Sequence, residues 1–418
     1  IKHREWWQFS GHQWVRVEEG YTLMNRISED LVNEVLEHAK IEVTKAQRDK
    51  DFEKDAKMDT ANNFVKLCLK LRTTKVKTDV MKEATHLFYD PKFYEKLDEN
   101  RDLIGCENGV FDLKNGEFRD GRPEDYISMS CGNKYFPFKK NTKRAREIIA
   151  FLQSIHPKKE NLGYLLDLMS SCLDGHCKEQ KFHIFTGTGS NGKSLLLNLM
   201  QLVLGDYYAI VPIQLITQKR SASGAANPHV AKLKGKRLGV MQEPDKNETL
   251  YVGQLKEYTG GDKITARSLF KEPTDFYLQI TMLLICNDLP HVPSNDGGTW
   301  RRLLVLLFGR KFVDKPDPKK KNEALIDRTL AEKLEEWREI MFSLLIHHYV
   351  NEYKIHGLRT PSDVTAATDQ YQATSNIMLQ YVDENIEKTD KASDTITITV
   401  SLLLKKVDFC SLHAIVRV

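Results

Sequence analysis

The chain lacks any long hydrophobic run. Across its 418 residues no apolar stretch approaches the roughly 20 residues needed to span a bilayer, so a membrane role has no support. Charge of one sign is also scarce. With 62 basic and 58 acidic side chains the net charge is only +4, too balanced for composition alone to announce nucleic-acid binding. Any such binding has to come from a local basic surface. Cysteine is sparse and unpatterned: seven scattered residues, an odd number, fit a reducing compartment better than a disulfide framework. Cys172, His176, Cys177 and His183 lie close together, but their spacing matches no zinc pattern and Cys172 falls on an apolar helical stretch. They read as ordinary core and loop residues. Ile1 opens the chain without a methionine or a signal-peptide pattern, which we read as a piece of something longer with material upstream.

What is present describes a globular protein, 41% hydrophobic and 29% charged, long enough for roughly two to three domains. Trp6, Trp7, Phe9 and Trp14 with Val15 and Val17 predict a small aromatic β element, serving as the core of a thin subdomain rather than as a base-stacking platform. From Ile27 to about Leu71 the pattern turns helical, with Leu31, Val35, Leu36 and Ala39 on one face. Between Asp102 and Tyr135, Asn108-Gly109 and Asn115-Gly116 are turn signals around short strands. Helix returns from about Thr142 to Cys172. From Lys181 to about Phe312, buried strands at Phe182 to Phe185, Arg237 to Met241, Leu278 to Cys286 and Leu303 to Phe308 alternate with helical segments. That alternation implies an α/β core with a mainly parallel sheet flanked by helices. Pro316, Pro318 and Lys319 to Lys321 mark a solvated linker before a long helical region from Ala324 to Tyr353, and Pro361 precedes another helix. The tail alternates Thr and Ile over Thr395 to Val400 and is largely apolar from Leu402 to Val418, with no chemistry to assign. The expected division is a mixed α+β region (1–141), a helical collar (142–180), a nucleotide-binding motor (181–314) and a helical C-terminal region with a strand-like tail (315–418).

The chemistry concentrates in the motor. Gly187, Thr188, Gly189, Ser190, Asn191, Gly192, Lys193 and Ser194 stand between an apolar strand and a helix opened by Leu195, Leu196 and Leu197. Glycines there let backbone N–H groups curl around phosphate oxygens at a positive helix N-terminus. Lys193 is expected to neutralise the β and γ phosphates of ATP, and the Ser194 hydroxyl to ligate Mg²⁺. The strand ending at Met241 delivers Gln242-Glu243, and Glu243 serves as general base on the attacking water or holds the metal's water shell. Either this one acid fills both roles or Asp245 helps. The next strand ends in Asn287, whose amide can orient the water and sense the γ-phosphate; by itself Asn287-Asp288 also reads as the start of a turn before Pro290.

Two further segments decide the type of ATPase. Thr259-Gly260-Gly261-Asp262 leads into a hairpin with Phe270 and Lys271 near its apex and Arg267 on its approach. A cation beside an aromatic at a projecting tip suits a single nucleic-acid strand, although such a hairpin alone reads more readily as a plain surface feature. Asp296-Gly297-Gly298-Thr299-Trp300-Arg301-Arg302 then presents two arginines, either of which can reach a phosphate on a neighbouring subunit as an arginine finger or simply cap the strand that follows.

The order of phosphate loop, strand-end Glu243, Thr259-Gly260-Gly261-Asp262 hairpin, Asn287 and Trp300-Arg301-Arg302 resembles superfamily 3 helicases, most of all the poxvirus-type primase–helicases of large DNA viruses and related phage and plasmid proteins. Asn108-Gly109-Val110-Phe111-Asp112-Leu113 resembles the strand-rich segment upstream of that family's motor. The resemblance covers about Trp6 to Phe312. It implies an AAA+ motor that assembles as a homo-oligomeric, hexameric ring around single-stranded or forked DNA. ATP would be held by Gly187 to Ser194, Glu243 and Asn287 of one subunit and Arg302 or Arg301 of the next, with the Lys271 hairpin lining the channel. It also implies an upstream primase or other replication proteins as partners and an intracellular site, the host cytoplasm for a cytoplasmic virus. The competing readings are an ATP-driven packaging or remodelling motor, a DNA-binding initiator ring that uses ATP to assemble, and a small-molecule kinase.

Overall fold

The computed structural model describes residues 5–48, 51–219, 226–244, 248–269, 272–293 and 297–375. Phe270, Lys271, Asp245, Asp296 and the tail from 376 onward lie outside the described residues. The chain forms two compact units: residues 1–97 with 121–128, and residues 98–120 with 129–418.

In the first unit β1 (Trp6–Ser10) and β2 (Gln13–Val17) pair as an antiparallel hairpin. Its aromatics pack on one another as expected of a small core. Trp14 meets Phe93 edge-on at 4.9 Å and Phe9 at 5.7 Å, and its indole N–H donates to the Pro123 carbonyl at 2.8 Å. The helices Val32–Ala46, Asp51–Leu71 and Thr74–Leu87 follow, burying Val32, Cys68, Leu71 and Met81 with Trp6 against them.

The second unit opens with an antiparallel meander, β3 (Leu103–Cys106), β4 (Gly109–Asp112) and β5 (Glu117–Arg119), whose turns fall at the two Asn-Gly pairs. Two helices, Lys143–Ile155 and Lys159–Ser171, occupy the expected helical stretch. Pro157 separates them, since the residue before a proline is pushed away from helical backbone angles. The Thr142 hydroxyl caps the first by accepting from the Ala145 amide at 3.2 Å.

At the centre is a fully parallel five-stranded sheet. It contains β6 (Phe182–Thr186), β7 (Tyr208–Ile210), β8 (Leu238–Gln242), β11 (Thr281–Cys286) and β12 (Leu303–Leu307), in the order β12-β6-β11-β8-β7. Successive side chains of a strand point to opposite faces, and here both faces are buried. Phe182, Ile184, Met282, Leu284, Leu303 and Val305 enter one core, with Leu255, Tyr258 and Tyr371. Phe185, Leu283, Ile285, Leu304 and Leu306 enter the other, with Leu168, Leu196, Met200 and Trp337. Burying both faces is why these strands are continuously apolar rather than alternating.

The antiparallel strands β9 (Lys263–Ala266) and β10 (Thr274–Tyr277) form the expected hairpin, burying Ile264, Ala266 and Phe276. One expectation needs correction. The helix expected from Ala324 starts only at Leu330. Glu323–Leu325 is instead a short strand, β14, paired in parallel with β13 (Lys311–Val313). Asp327 then accepts hydrogen bonds from the Thr329 amide at 2.9 Å and hydroxyl at 2.6 Å. This side-chain-to-backbone turn competes with helix up to that point. Deeper in the unit, buried Asp167 accepts from Arg359 and His348, each at 2.7 Å, and ties the helix Lys159–Ser171 to the helix Leu330–His348.

Candidate active site

Parallel strands deliver their last residues to one edge, and the register fixes which ones. Thr186 pairs with Cys286, and Ile285 with Gln242. The segments that follow β6, β11 and β8 therefore emerge side by side: the Gly187–Ser194 loop, Asn287 and Glu243. In open parallel sheets this carboxyl edge is where ligands bind.

The loop has the backbone its sequence demands. Gly187, Gly189, Ser190 and Gly192 all adopt positive φ, at 153°, 82°, 47° and 84°. A Cβ at Gly187 would sit 2.6 Å from both the Phe308 carbonyl and the Asn191 side chain, so close packing as well as φ excludes other residues there. A Cβ at Gly189 would meet nothing within 4 Å, so the loop is open on that side. The outer side of the loop is anchored: Phe312 N–H donates to the Ser190 carbonyl at 2.7 Å, and the Asn191 amide donates to the Phe308 carbonyl at 3.4 Å. The helix Lys193–Leu204 starts directly from the loop, with no side-chain cap from Gly192 and no acidic residue in its first turn. Its first amides and dipole favour an anion.

Lys193 is only 5% exposed, and its ammonium donates to the Gly187 carbonyl at 2.7 Å. Burial pulls its pKa below the ordinary lysine value, while Cys286 and Glu243 act in the opposite direction. The Glu243 charge is thus felt at the ammonium. Glu243 and Asn287 are exposed at the edge, as is Ser194. Glu243 holds φ of 37°, unusual for a residue with a side chain, and its amide donates to the Ile285 carbonyl at 2.9 Å. Such strain costs about 1–3 kcal/mol and clusters at functional positions. Thr186, unremarked in the sequence, donates its hydroxyl to the Asn287 carbonyl at 3.0 Å and locks the ends of β6 and β11 together. Cys286, also unflagged, lies near Lys193, its thiol pushed up to about 11 by burial. Neither carries a motif: a strand-end threonine or cysteine looks like any core residue.

Arg301 and Arg302 stand elsewhere. They precede β12, and the Arg302 carbonyl accepts from Phe182 at the start of β6. That is the amino edge, about 16 Å of strand from the loop. Arg301 is exposed, whereas half-buried Arg302 donates to the Gly298 carbonyl at 2.6 Å. Arg267 is exposed just beyond β9, and Thr265 donates to Asp275 across the hairpin at 2.6 Å. Phe270 and Lys271, expected at the apex, lie outside the described residues. The four residues weighed as a metal cluster have other roles. His176 pairs with Asp102 at 2.9 Å, His183 with the Tyr164 hydroxyl at 2.9 Å, and Cys172 with the Leu168 carbonyl at 3.2 Å, while Cys177 is a free thiol. No described helix is long and apolar enough to cross a membrane.

Residues 1–157 match the family described as D5 N terminal like, and residues 185–302 match a family of unknown function. A protein of Acanthamoeba polyphaga mimivirus named "Putative helicase" is 39% identical over 406 residues, 95% of this chain and 42% of that protein. A "Putative helicase" of Invertebrate iridescent virus 3 is 28% identical over 77% of this chain and 36% of its own length. A "Putative primase" of African swine fever virus is 28% identical over 76% of this chain and 34% of its own. The chain spans about two fifths or less of the length of these curated relatives. The solved C-terminal region of NrS-1 aligns with 61% of this chain and 62% of its own length at 14% identity and a TM-score of 0.41, a likeness too loose to bear on function. The D5 N-terminal-like segment and the agreement along most of the chain with viral proteins named for helicases and primases place it in the primase–helicase family of large DNA viruses.

Proposed function

We propose that this chain is the ATP-hydrolysing motor of a viral replicative DNA helicase, working as a homo-oligomeric ring. The observation that carries the proposal is the shared edge of β6, β11 and β8. There a buried ammonium, a positive-φ glycine loop, a strained carboxylate and an amide converge, as phosphoryl transfer to water requires. The loop's open side at Gly189 and the uncapped helix start fit the phosphates of ATP. The exposed Ser194 hydroxyl and Glu243 carboxylate are hard oxygen donors that fit Mg²⁺, which when bound would neutralise β- and γ-phosphate charge.

Each residue then has a defined task. Lys193 leaves the Gly187 carbonyl to bind phosphate oxygens. Glu243 takes the proton of the attacking water, and Asn287 holds that water in line. Arg301 and Arg302, on the far edge of their own sheet, serve the site of an adjacent subunit, the exposed Arg301 being the freer of the two. The β9–β10 hairpin with Arg267, Lys271 and Phe270 grips a single DNA strand and moves with the nucleotide state. A packaging motor would share the loop and Glu243 without needing this hairpin to track DNA.

The test is ATP hydrolysis with and without forked DNA, together with strand separation, comparing the native chain with Lys193→Ala. Loss of both activities in the variant is the expected result. Hydrolysis that ignores DNA, with no strands separated by the native chain, would leave an ATPase and remove the helicase.

A further inference from the structure

We infer that the helical part of the first unit carries a second binding surface for single-stranded nucleic acid, separate from the motor hairpin. The inference rests on the helicase reading for its ligand class, and on different residues for its site. Residues 60–78 contain Lys66, Lys70, Arg72, Lys75 and Lys77 and no acidic residue. Lys66, Lys70, Arg72 and Lys75 are exposed and Lys77 is half-buried, and none of the five forms an ion pair among the described residues. By contrast, Lys40, Lys45 and Lys82 on neighbouring turns all have carboxylate partners.

Two of these placements work against the helices that bear them. Lys66 and Lys70 are like charges four apart on one helix face, which destabilises a helix by a few tenths of a kcal/mol. Lys75 and Lys77 open the helix Thr74–Leu87, whose first turn has no acidic residue and whose Thr73 hydroxyl donates back to the Lys70 carbonyl at 2.7 Å instead of capping the first turn. Cations at that end oppose the helix dipole. Local rules broken without an internal compensation mark functional surfaces, and a phosphate backbone relieves both conflicts at once. At the other end of the same helix, Leu87, Phe88 and Tyr89 are 80%, 70% and 63% exposed. A helix of 14 residues is about 21 Å long, so cations and rings lie within the reach of a few nucleotides. Unpaired cations that track a backbone beside exposed aromatic faces are how proteins hold single strands without sequence preference.

The experiment measures binding of the whole chain to a fluorescent oligo-dT strand, without ATP, across a salt series. The K66Q/K70Q/R72Q/K75Q/K77Q variant is compared with the native chain and with Phe88→Ala/Tyr89→Ala. The charge variant should bind at least tenfold more weakly, its salt slope shallower by about 0.7 for each phosphate no longer neutralised. The aromatic variant should bind about fivefold or more weakly with the slope unchanged. K75Q/K77Q alone guards against misfolding, because removing cations from a helix start cannot weaken that helix electrostatically; it too should flatten the slope. Native affinity and slope in the charge variant would overturn the inference while leaving the helicase reading standing, and so would weaker binding at an unchanged slope. A native chain that ignores the strand altogether would sink both.

Discussion

At the scale of single residues, two buried histidines of the second unit, His156 and His183, must stay neutral. His156 follows the helix Lys143–Ile155, lies 4% exposed with its ring edge-on to Phe308 at 4.7 Å, and is pulled by burial from 6.5 to about 4. His183, on β6, is pulled to about 3 by burial, with Lys181 adding to the effect. For a base with a depressed native pKa, the unfolded chain binds protons that the native state refuses. The stabilisation is therefore complete above pH 6.5 and is lost as pH falls from 6.5 toward 4 for His156, and further for His183. His156 alone accounts for about 3 kcal/mol across that window. Urea unfolding between pH 7 and 4.5 should show falling stability, and His156→Phe should make the decline shallower by up to about 1.4 kcal/mol per pH unit. An identical slope in the variant would mean that His156 does not titrate as its burial demands. Because the Phe308 carbonyl also accepts a hydrogen bond from Asn191, this neutral ring supports the outer wall of the Gly187–Ser194 loop.

At the scale of elements, the proposed function assigns DNA tracking to the β9–β10 hairpin and hydrolysis to the sheet edge. Its inward residues Ile264, Ala266 and Phe276 belong to the core beneath the sheet, whereas Lys263, Thr265, Arg267, Asp275 and Tyr277 do not. Changing Arg267 and Lys271 to alanine should therefore leave the fold and basal ATP hydrolysis intact while strand separation falls at least tenfold. Unwinding at the native rate by that variant would remove the hairpin from the mechanism. The elements themselves were largely legible. Asn108-Gly109 and Asn115-Gly116 mark their turns because few other pairs accept those backbone angles, and the four expected motor strands appear within a few residues. The start of the long C-terminal helix was not legible. Glu323–Leu325 has no strand character of its own and is held by β13, a partner fixed only in the folded chain.

At the scale of the whole molecule, the proposed ring would need the two edges of the sheet, in adjacent subunits, to supply two halves of one site. If Glu243 acts in the site of its own chain and the arginines in the site of a neighbour, two inactive variants complement each other. Arg301→Ala/Arg302→Ala and Glu243→Gln should each lose at least 10²-fold in DNA-stimulated hydrolysis, with nucleotide binding retained. An equimolar mixture should recover a measurable fraction, since some interfaces then pair an intact glutamate with an intact arginine. No recovery in mixed assemblies would place all these groups in one chain or remove the arginines from catalysis.

The sequence by itself determined what local chemistry dictates. Glycines at positive φ define the loop after β6, continuous apolar runs define buried parallel strands, and polar residues stand where those strands stop. Only the tertiary structure decided adjacency. It set β11 between β6 and β8, so that Asn287 stands between the Lys193 loop and Glu243, brought Cys286 beside that ammonium, and sent Arg301 and Arg302 to the opposite edge. Strand order is set by crossovers joining segments far apart in the chain. Their outcome depends on how two cores are filled from both sides of the sheet, which no single stretch of sequence records.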